Sequence, residues 1–209
     1  MERFSEGQKI GRGKDKDVFI SKENSDIIIA NFRDKKSNEQ IKSAFYLAKL
    51  AHIFFPDNVP DIHAAFNDEE GKGTLYLENA HPDEEHKQIN RWRVTRELDN
   101  ERVRLNNDYH DKNIADPEIK KLVADMESKG LLPDNASGLN FGRSEDGDVL
   151  HLDTEPGYIK ILNTRILRFR PDLLKKAIEE LPEGAQKQQA LNYYDRLIKL
   201  TTEEEKEEE

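Results

Sequence analysis

Residues 134–157, DNASGLNFGRSEDGDVLHLDTEPG, alternate between loop and short extended runs. Residues 141–143 and 149–152 read as strands. Glu145-Asp146-Gly147-Asp148 supplies the turn, since Asp-Gly between two strand-like runs is a strong hairpin signal. Asn140 ends the loop before the first strand, and Asp153 follows the second. A hairpin brings its outer ends together, so this amide and this carboxylate are expected to be neighbours. One hard cation would satisfy both oxygens. Mg²⁺ takes one or two protein oxygens and leaves its other positions to water and phosphates. The plainer reading is a surface hairpin with polar ends.

Upstream, Gln8-Lys9-Ile10, Val18-Phe19-Ile20-Ser21 and the β-branched run Ile27-Ile28-Ile29-Ala30-Asn31-Phe32 predict three strands. Gly11-Arg12-Gly13 and residues 22–26 turn the chain between them. Residues 37–55 predict a helix: Ser37 or Asn38 as N-cap, Glu39 in the first turn, Ile41, Ala44, Phe45, Ala48 and Ala51 on one face, and Pro56 closing it. Residues 61–66 and the alternating residues 74–78 flank a turn and complete a second hairpin. The order is three strands, one helix, two strands.

Closer to the hairpin, residues 86–113 predict one charged helical stretch with Trp92 at a core edge. Asp116-Pro117 starts a helix with Ile119, Leu122, Val123 and Met126 on its apolar face, ended by Gly130. Downstream, residues 158–169 are mixed, and residues 171–181 and 185–200 predict two more helices.

Charged residues make up 36% of the chain and hydrophobic residues 35%, so the core is expected to be modest. A net charge of −10 argues against a general nucleic-acid binder. Cysteine is absent, which excludes disulfides and thiolate sites. The first ten residues lack a signal-peptide apolar core, and no apolar run reaches membrane-spanning length. A cytoplasmic protein with no membrane contact is expected. The six histidines show no metal-ligand spacing, no serine sits in a nucleophile-elbow pattern, and there is no internal repeat.

The strand–helix–strand order, followed by Asn140, a hairpin and Asp153 thirteen positions later, resembles the protein-kinase-like superfamily that includes aminoglycoside phosphotransferases. The resemblance covers approximately residues 8–157. It implies an α+β, bilobal fold. Residues 1–79 would form a five-stranded antiparallel N-lobe with one helix, residues 80–200 a small, mostly helical C-lobe carrying the hairpin, and residues 201–209, TTEEEKEEE, an acidic tail. It further implies ATP between the lobes, Mg²⁺ held by Asn140 and Asp153, and Gly11, Gly13, Val18, Arg33 and Glu78 as cofactor-binding residues.

Several positions depart from the family pattern. In Gly11-Arg12-Gly13-Lys14-Asp15-Lys16-Asp17-Val18, which resembles the glycine-rich loop, Lys16 stands where the third glycine belongs. Phe32 occupies the place of the third-strand lysine. Arg33 is the nearest cation, and it points to the opposite face unless a bulge turns it. Lys35 and Lys36 are candidates if the strand bends. The catalytic carboxylate is expected five positions before Asn140, where Asn135 stands. Asp134 reaches that register if the loop absorbs one residue, which Gly138 would allow; otherwise it is an Asx turn or cap. Asp153-Thr154-Glu155-Pro156-Gly157 replaces Asp-Phe-Gly.

Three readings follow. One is a minimal phosphotransferase using ATP and Mg²⁺ on an unknown small-molecule or protein hydroxyl acceptor, with Asp134 as base. The second is a pseudokinase-type binding or regulatory module. The third is an unrelated α+β interaction domain.

Overall fold

Ile27–Lys35, the third strand (β3), lies at the centre of a five-stranded antiparallel sheet. It is flanked by β2 (Lys16–Ser21) and β5 (Lys72–Glu78), with β1 (Glu6–Arg12) and β4 (Ile62–Asn67) at the edges, in the order β1-β2-β3-β5-β4. The computed structural model describes residues 4–12, 16–67, 72–95, 99–134, 137–161 and 164–202. The expected ligand residue Gly13, Asn135 and the acidic tail beyond residue 202 lie outside them. Among the described residues the chain is an α+β protein with six α-helices.

Alternation along β3 sorts the sheet into two faces. Ile28, Ala30 and Phe32 pack beneath helix α1 (Asn38–Phe54) with Ile41, Ala44, Ala48, Ile62, Leu75 and Leu77. Ile27 and Ile29 face the other way, with Phe4, Phe19, Ala64, Phe66 and Tyr76. A strand wetted on neither face needs such an apolar run, and that is how 27–32 reads.

Helix α1 starts where its sequence says it should. The Ser37 hydroxyl accepts from Gln40 N–H at 3.2 Å, and the Gln40 side chain accepts from Ser37 N–H at 3.1 Å, closing a capping box. The helix serves two cores. Its first turns cover the sheet, while Leu50 and Ala51 join a larger cluster with Phe141, Val149 and residues of the C-terminal helices. The larger cluster thus draws residues from both sides of the expected division after residue 79.

The charged stretch 86–113 divides into α2 (Glu84–Thr95) and α3 (Asn100–Ala115), the latter capped by Asp99. Trp92 is half-buried with the Arg102 guanidinium 5.9 Å from its ring. α4 (Pro117–Ser128) begins at the Asp116 cap and buries all four residues of its expected apolar face. A 3₁₀ turn, Gly138–Asn140, leads into the hairpin β6 (Phe141–Arg143) and β7 (Val149–His151), paired Phe141 to His151. The mixed segment becomes a second hairpin, β8 (Tyr158–Ile161) and β9 (Thr164–Leu167). α5 (Pro171–Glu179) and α6 (Ala185–Thr202) close the chain, with α6 packed along α1. No helix among the described residues is long and apolar enough to cross a membrane.

Candidate functional site

The two feet of the β6–β7 hairpin meet. Leu152 N–H donates to the Asn140 carbonyl at 2.8 Å, and Asp153 follows at once. Both residues line one cavity of about 500 Å³ beneath the sheet, together with Asp134. The loop that carries Asp134 and Asn140 is fastened at several points. Asn140 Nδ2 donates to the Asp134 carbonyl at 3.0 Å. Gly138 N–H donates to His110 Nδ1 at 3.1 Å, and Asn113 Nδ2 donates to the carbonyls of Gly138 at 2.8 Å and Phe141 at 3.0 Å. A Cβ on Gly138 would sit 2.3 Å from the His110 carbonyl oxygen. Gly138 is thus needed for close approach to α3, a different use from the loop deformation expected of it.

Asp153 is bound by Lys16, which stands where the family pattern has its third glycine. Lys16 Nζ lies 2.5 Å from Asp153 Oδ1 and also donates to the Thr154 carbonyl. The Lys16 stem crosses the Phe32 ring, with Nζ 5.5 Å from its centroid. Lys16 and Phe32 are cross-strand partners, so their side chains leave the sheet on the same face. Parity was the available signal. Lys16 is two residues before Val18, and residues two apart on a strand share a face. Burial by itself would push the Asp153 carboxyl up. The Lys16 charge and hydrogen bond, with smaller help from His151 and from Thr154 N–H, hold it below the usual carboxylate range.

Arg33 is on the other face. Its guanidinium bonds Asp17 at 2.8 and 3.1 Å, and Asp17 also pairs with Lys9 at 2.8 Å. The β3–β5 register does shift between Asn31 and Lys35, yet Arg33 stays with Asp17. Gly11, Val18, Arg33 and Glu78 line neither this cavity nor the smaller one beside it. Glu78 instead accepts from Asp61 N–H at 3.2 Å. Lys36 does reach the cavity, 5.8 Å from the Phe32 ring, and so does Gln40 from the helix cap, whereas Glu39 does not. The site's cations are therefore Lys16, Lys36, Arg93 and Arg168, and only Lys36 is among the cations expected there.

The segment after Asp153 is held between helices. Gly157 N–H donates to the fully buried Ser43 hydroxyl of α1 at 2.9 Å. Glu155 pairs with Arg168 at 2.8 Å. Burial, and next the Asp153 charge, nevertheless push the Glu155 carboxyl up to about 7 against the pull of Arg168 and Lys16. Because folding raises this pKa from 4.5, the folded chain holds the proton more tightly than the unfolded one, and stability falls as pH climbs from 4.5 to about 7. Glu155→Gln is expected to match the wild type near pH 4.5 and to exceed it by about 2 kcal/mol at pH 8. Urea melts at both pH values check this, and a pH-independent difference would contradict it.

Among the described residues, four buried side-chain polar atoms have no hydrogen-bond partner: Asn106 Oδ1, His151 Nε2, Tyr158 Oη and Arg168 Nε. The last three belong to residues on the walls of these two cavities. Buried polar atoms are normally satisfied, so their gathering here marks polar capacity in excess of what the fold uses.

Among the described residues no group of three or more His, Cys, Asp or Glu side chains could cage a metal. Asn140 and Asp153 still offer two oxygens. Asn140 commits its amide nitrogen to Asp134, which leaves its Oδ1 as the ligand atom. Asp153 commits Oδ1 to Lys16 and to Thr154 N–H, which leaves Oδ2. A two-oxygen set fits Mg²⁺ accompanied by phosphate and water, and it fits no ion that needs a full protein cage. No protein-family model matches the chain, and no curated protein is significantly similar to it.

Proposed function

We propose that the chain is a bilobal, kinase-like protein that binds ATP and Mg²⁺ and transfers a phosphoryl group to a hydroxyl acceptor. The observation that carries this reading is the convergence of Asp134, Asn140, Asp153 and Lys16 on one cavity under a five-stranded sheet. Helix α1 between β3 and β4, and the hairpin after the Asn140 loop, support the same build.

Mg²⁺ at Asn140 and Asp153 would supply charge neutralisation for the phosphates. The chain's own groups do the rest. Lys16 places an ammonium against Asp153 in the cavity, where developing negative charge would be stabilised in a partly water-excluded space. Asp134 receives the acceptor's hydroxyl proton. The acceptor oxygen forms the new bond to phosphorus, and the bond from phosphorus to the departing phosphate oxygen breaks.

One observation favours a second reading, binding without turnover. The Lys16 ammonium already occupies an Asp153 oxygen, so a metal ion must share that carboxylate with a cation. Thermal-shift titration with ATP, with and without Mg²⁺, is expected to give metal-dependent stabilisation that Asp153→Ala loses. No stabilisation at millimolar nucleotide would contradict both readings. ATP-consumption assays on the wild type and Asp134→Ala then separate them: turnover reduced roughly a hundredfold or more in the variant fits a catalytic base, and absence of turnover in both fits the binding module.

A further inference from the structure

The cavity gathers four cations against three carboxylates, Asp134, Asp153 and Glu155, in a chain whose net charge is −10. Three of them have neighbours that account for their placement. Lys16 holds Asp153, Arg168 holds Glu155, and Lys36 lies by the Phe32 ring. Arg93, in the last turn of α2, is different. It is half-buried on the cavity wall, and among the described residues its guanidinium forms no hydrogen bond or ion pair. Burial, and then the charge of Arg33, both disfavour its protonated form. A helix C-terminus offers a cation some compensation, but a half-buried guanidinium that pairs with none of the cavity's carboxylates, Asp134, Asp153 and Glu155, is poised for an anion from outside the chain.

The helix that delivers Arg93 also fills space. The start of α2 is stapled to the hairpin: Asp83 N–H donates to the Arg143 carbonyl at 2.7 Å, and Lys87 pairs with Glu145 at 2.8 Å. One turn on, His86 is buried against Gly142, where a Cβ would lie 3.1 Å from both His86 Nδ1 and Leu152 Cδ1. Ile89 is 4% exposed, and the helix packs against β1. The space between β1 and the hairpin, beside the charged cavity, is therefore occupied by α2. A nucleoside base bound next to the phosphate groups would need an apolar slot there or on the α1 side, where the adjoining apolar cavity lined by Leu47, Ala51, Leu77 and Leu152 has only about 70 Å³ and is too small for one.

We propose that the cavity recognises a polyphosphate chain through its oxygens alone, gripped by Lys16 and Lys36 from the sheet side and by Arg93 from α2, with no contact to a base. This rests on the phosphate-site reading above and specifies its ligand class: inorganic polyphosphate serves as well as a nucleoside triphosphate.

The test is titration of the full chain in MgCl₂ with sodium tripolyphosphate, ATP and adenosine, read by calorimetry and thermal shift. Tripolyphosphate and ATP are expected to bind within about threefold of each other, and millimolar adenosine to neither bind nor compete. Arg93→Gln is expected to weaken both polyphosphates about tenfold or more while leaving the ligand-free melting temperature unchanged or higher, since an uncompensated charge leaves a half-buried place. Arg93→Lys should restore part of the affinity. ATP binding about tenfold tighter than tripolyphosphate, or competition by adenosine, would show that a base is read and overturn the inference while leaving the phosphate site intact. Unchanged affinity in Arg93→Gln would overturn it too. If neither polyphosphate binds, the underlying phosphate-site reading fails and takes this one with it.

Discussion

The Lys16→Met variant is expected to lose about 2–4 kcal/mol of folding stability at neutral pH along with the proposed Mg²⁺–polyphosphate binding. The cause is what it leaves behind. Lys16 and Asp153 side chains are only 13% and 18% exposed, and their 2.5 Å contact is what offsets the burial of the Asp153 carboxylate. Without the ammonium, burial acts nearly unopposed and drives the Asp153 carboxyl up instead of down. The pH dependence attributable to this residue therefore reverses. In the wild type its contribution is present above the unfolded pKa of about 3.8 and is lost as pH falls through the lower folded value. In the variant stability falls as pH rises above that range. The double variant with Asp153→Asn is expected to recover most of the lost stability and none of the binding. Urea unfolding of the wild type and both variants at pH 3, pH 5 and pH 8 checks these expectations. A Lys16→Met protein as stable as the wild type at pH 8 would mean that the pair is not holding the site together.

Two glycines of the hairpin region provide the second large contrast. Gly138→Ala is expected to cost about 2–4 kcal/mol, because the new methyl would meet the His110 backbone carbonyl at 2.3 Å and neither segment of chain can yield without breaking the bond from Asn113 and the bond that Gly138 N–H donates to His110. Whatever fraction folds would carry a displaced Asp134–Asn140 loop, so ligand binding should weaken as well. Gly147→Ala, in the hairpin turn, meets nothing within 4 Å. Its φ of +95° leaves only the conformational cost of a side chain in that region, about 1 kcal/mol. Urea melts of the two variants side by side check the difference; equal losses would remove the steric account of Gly138.

Much of this architecture was legible from local pattern. The β-branched run 27–32, the Ser37 cap with Gln40 three residues on, and the Asp116-Pro117 start each carry their structural instruction within a few neighbouring residues. The same is true of Asn140 and Asp153: alternation and an Asp-Gly turn suffice to put them at adjoining feet of one hairpin. Even the misplacement of Arg33 was implied, since a residue directly after Phe32 on a continuing strand must face away from it.

The charges of the site were another matter. Lys16 meets Asp153 across 137 positions of chain, Arg93 enters from a helix whose own pattern is merely polar, and Glu155 departs from ordinary acidity because burial, Asp153 and Asp134 act on it together. Short-range periodicity decides which backbone forms and which way each side chain leaves it. Which opposite charge that side chain then meets, and in how dry a place, depends on how sheet, hairpin and helices pack, so the elements were determined by the sequence by itself and the electrostatics of the cavity by the tertiary structure alone.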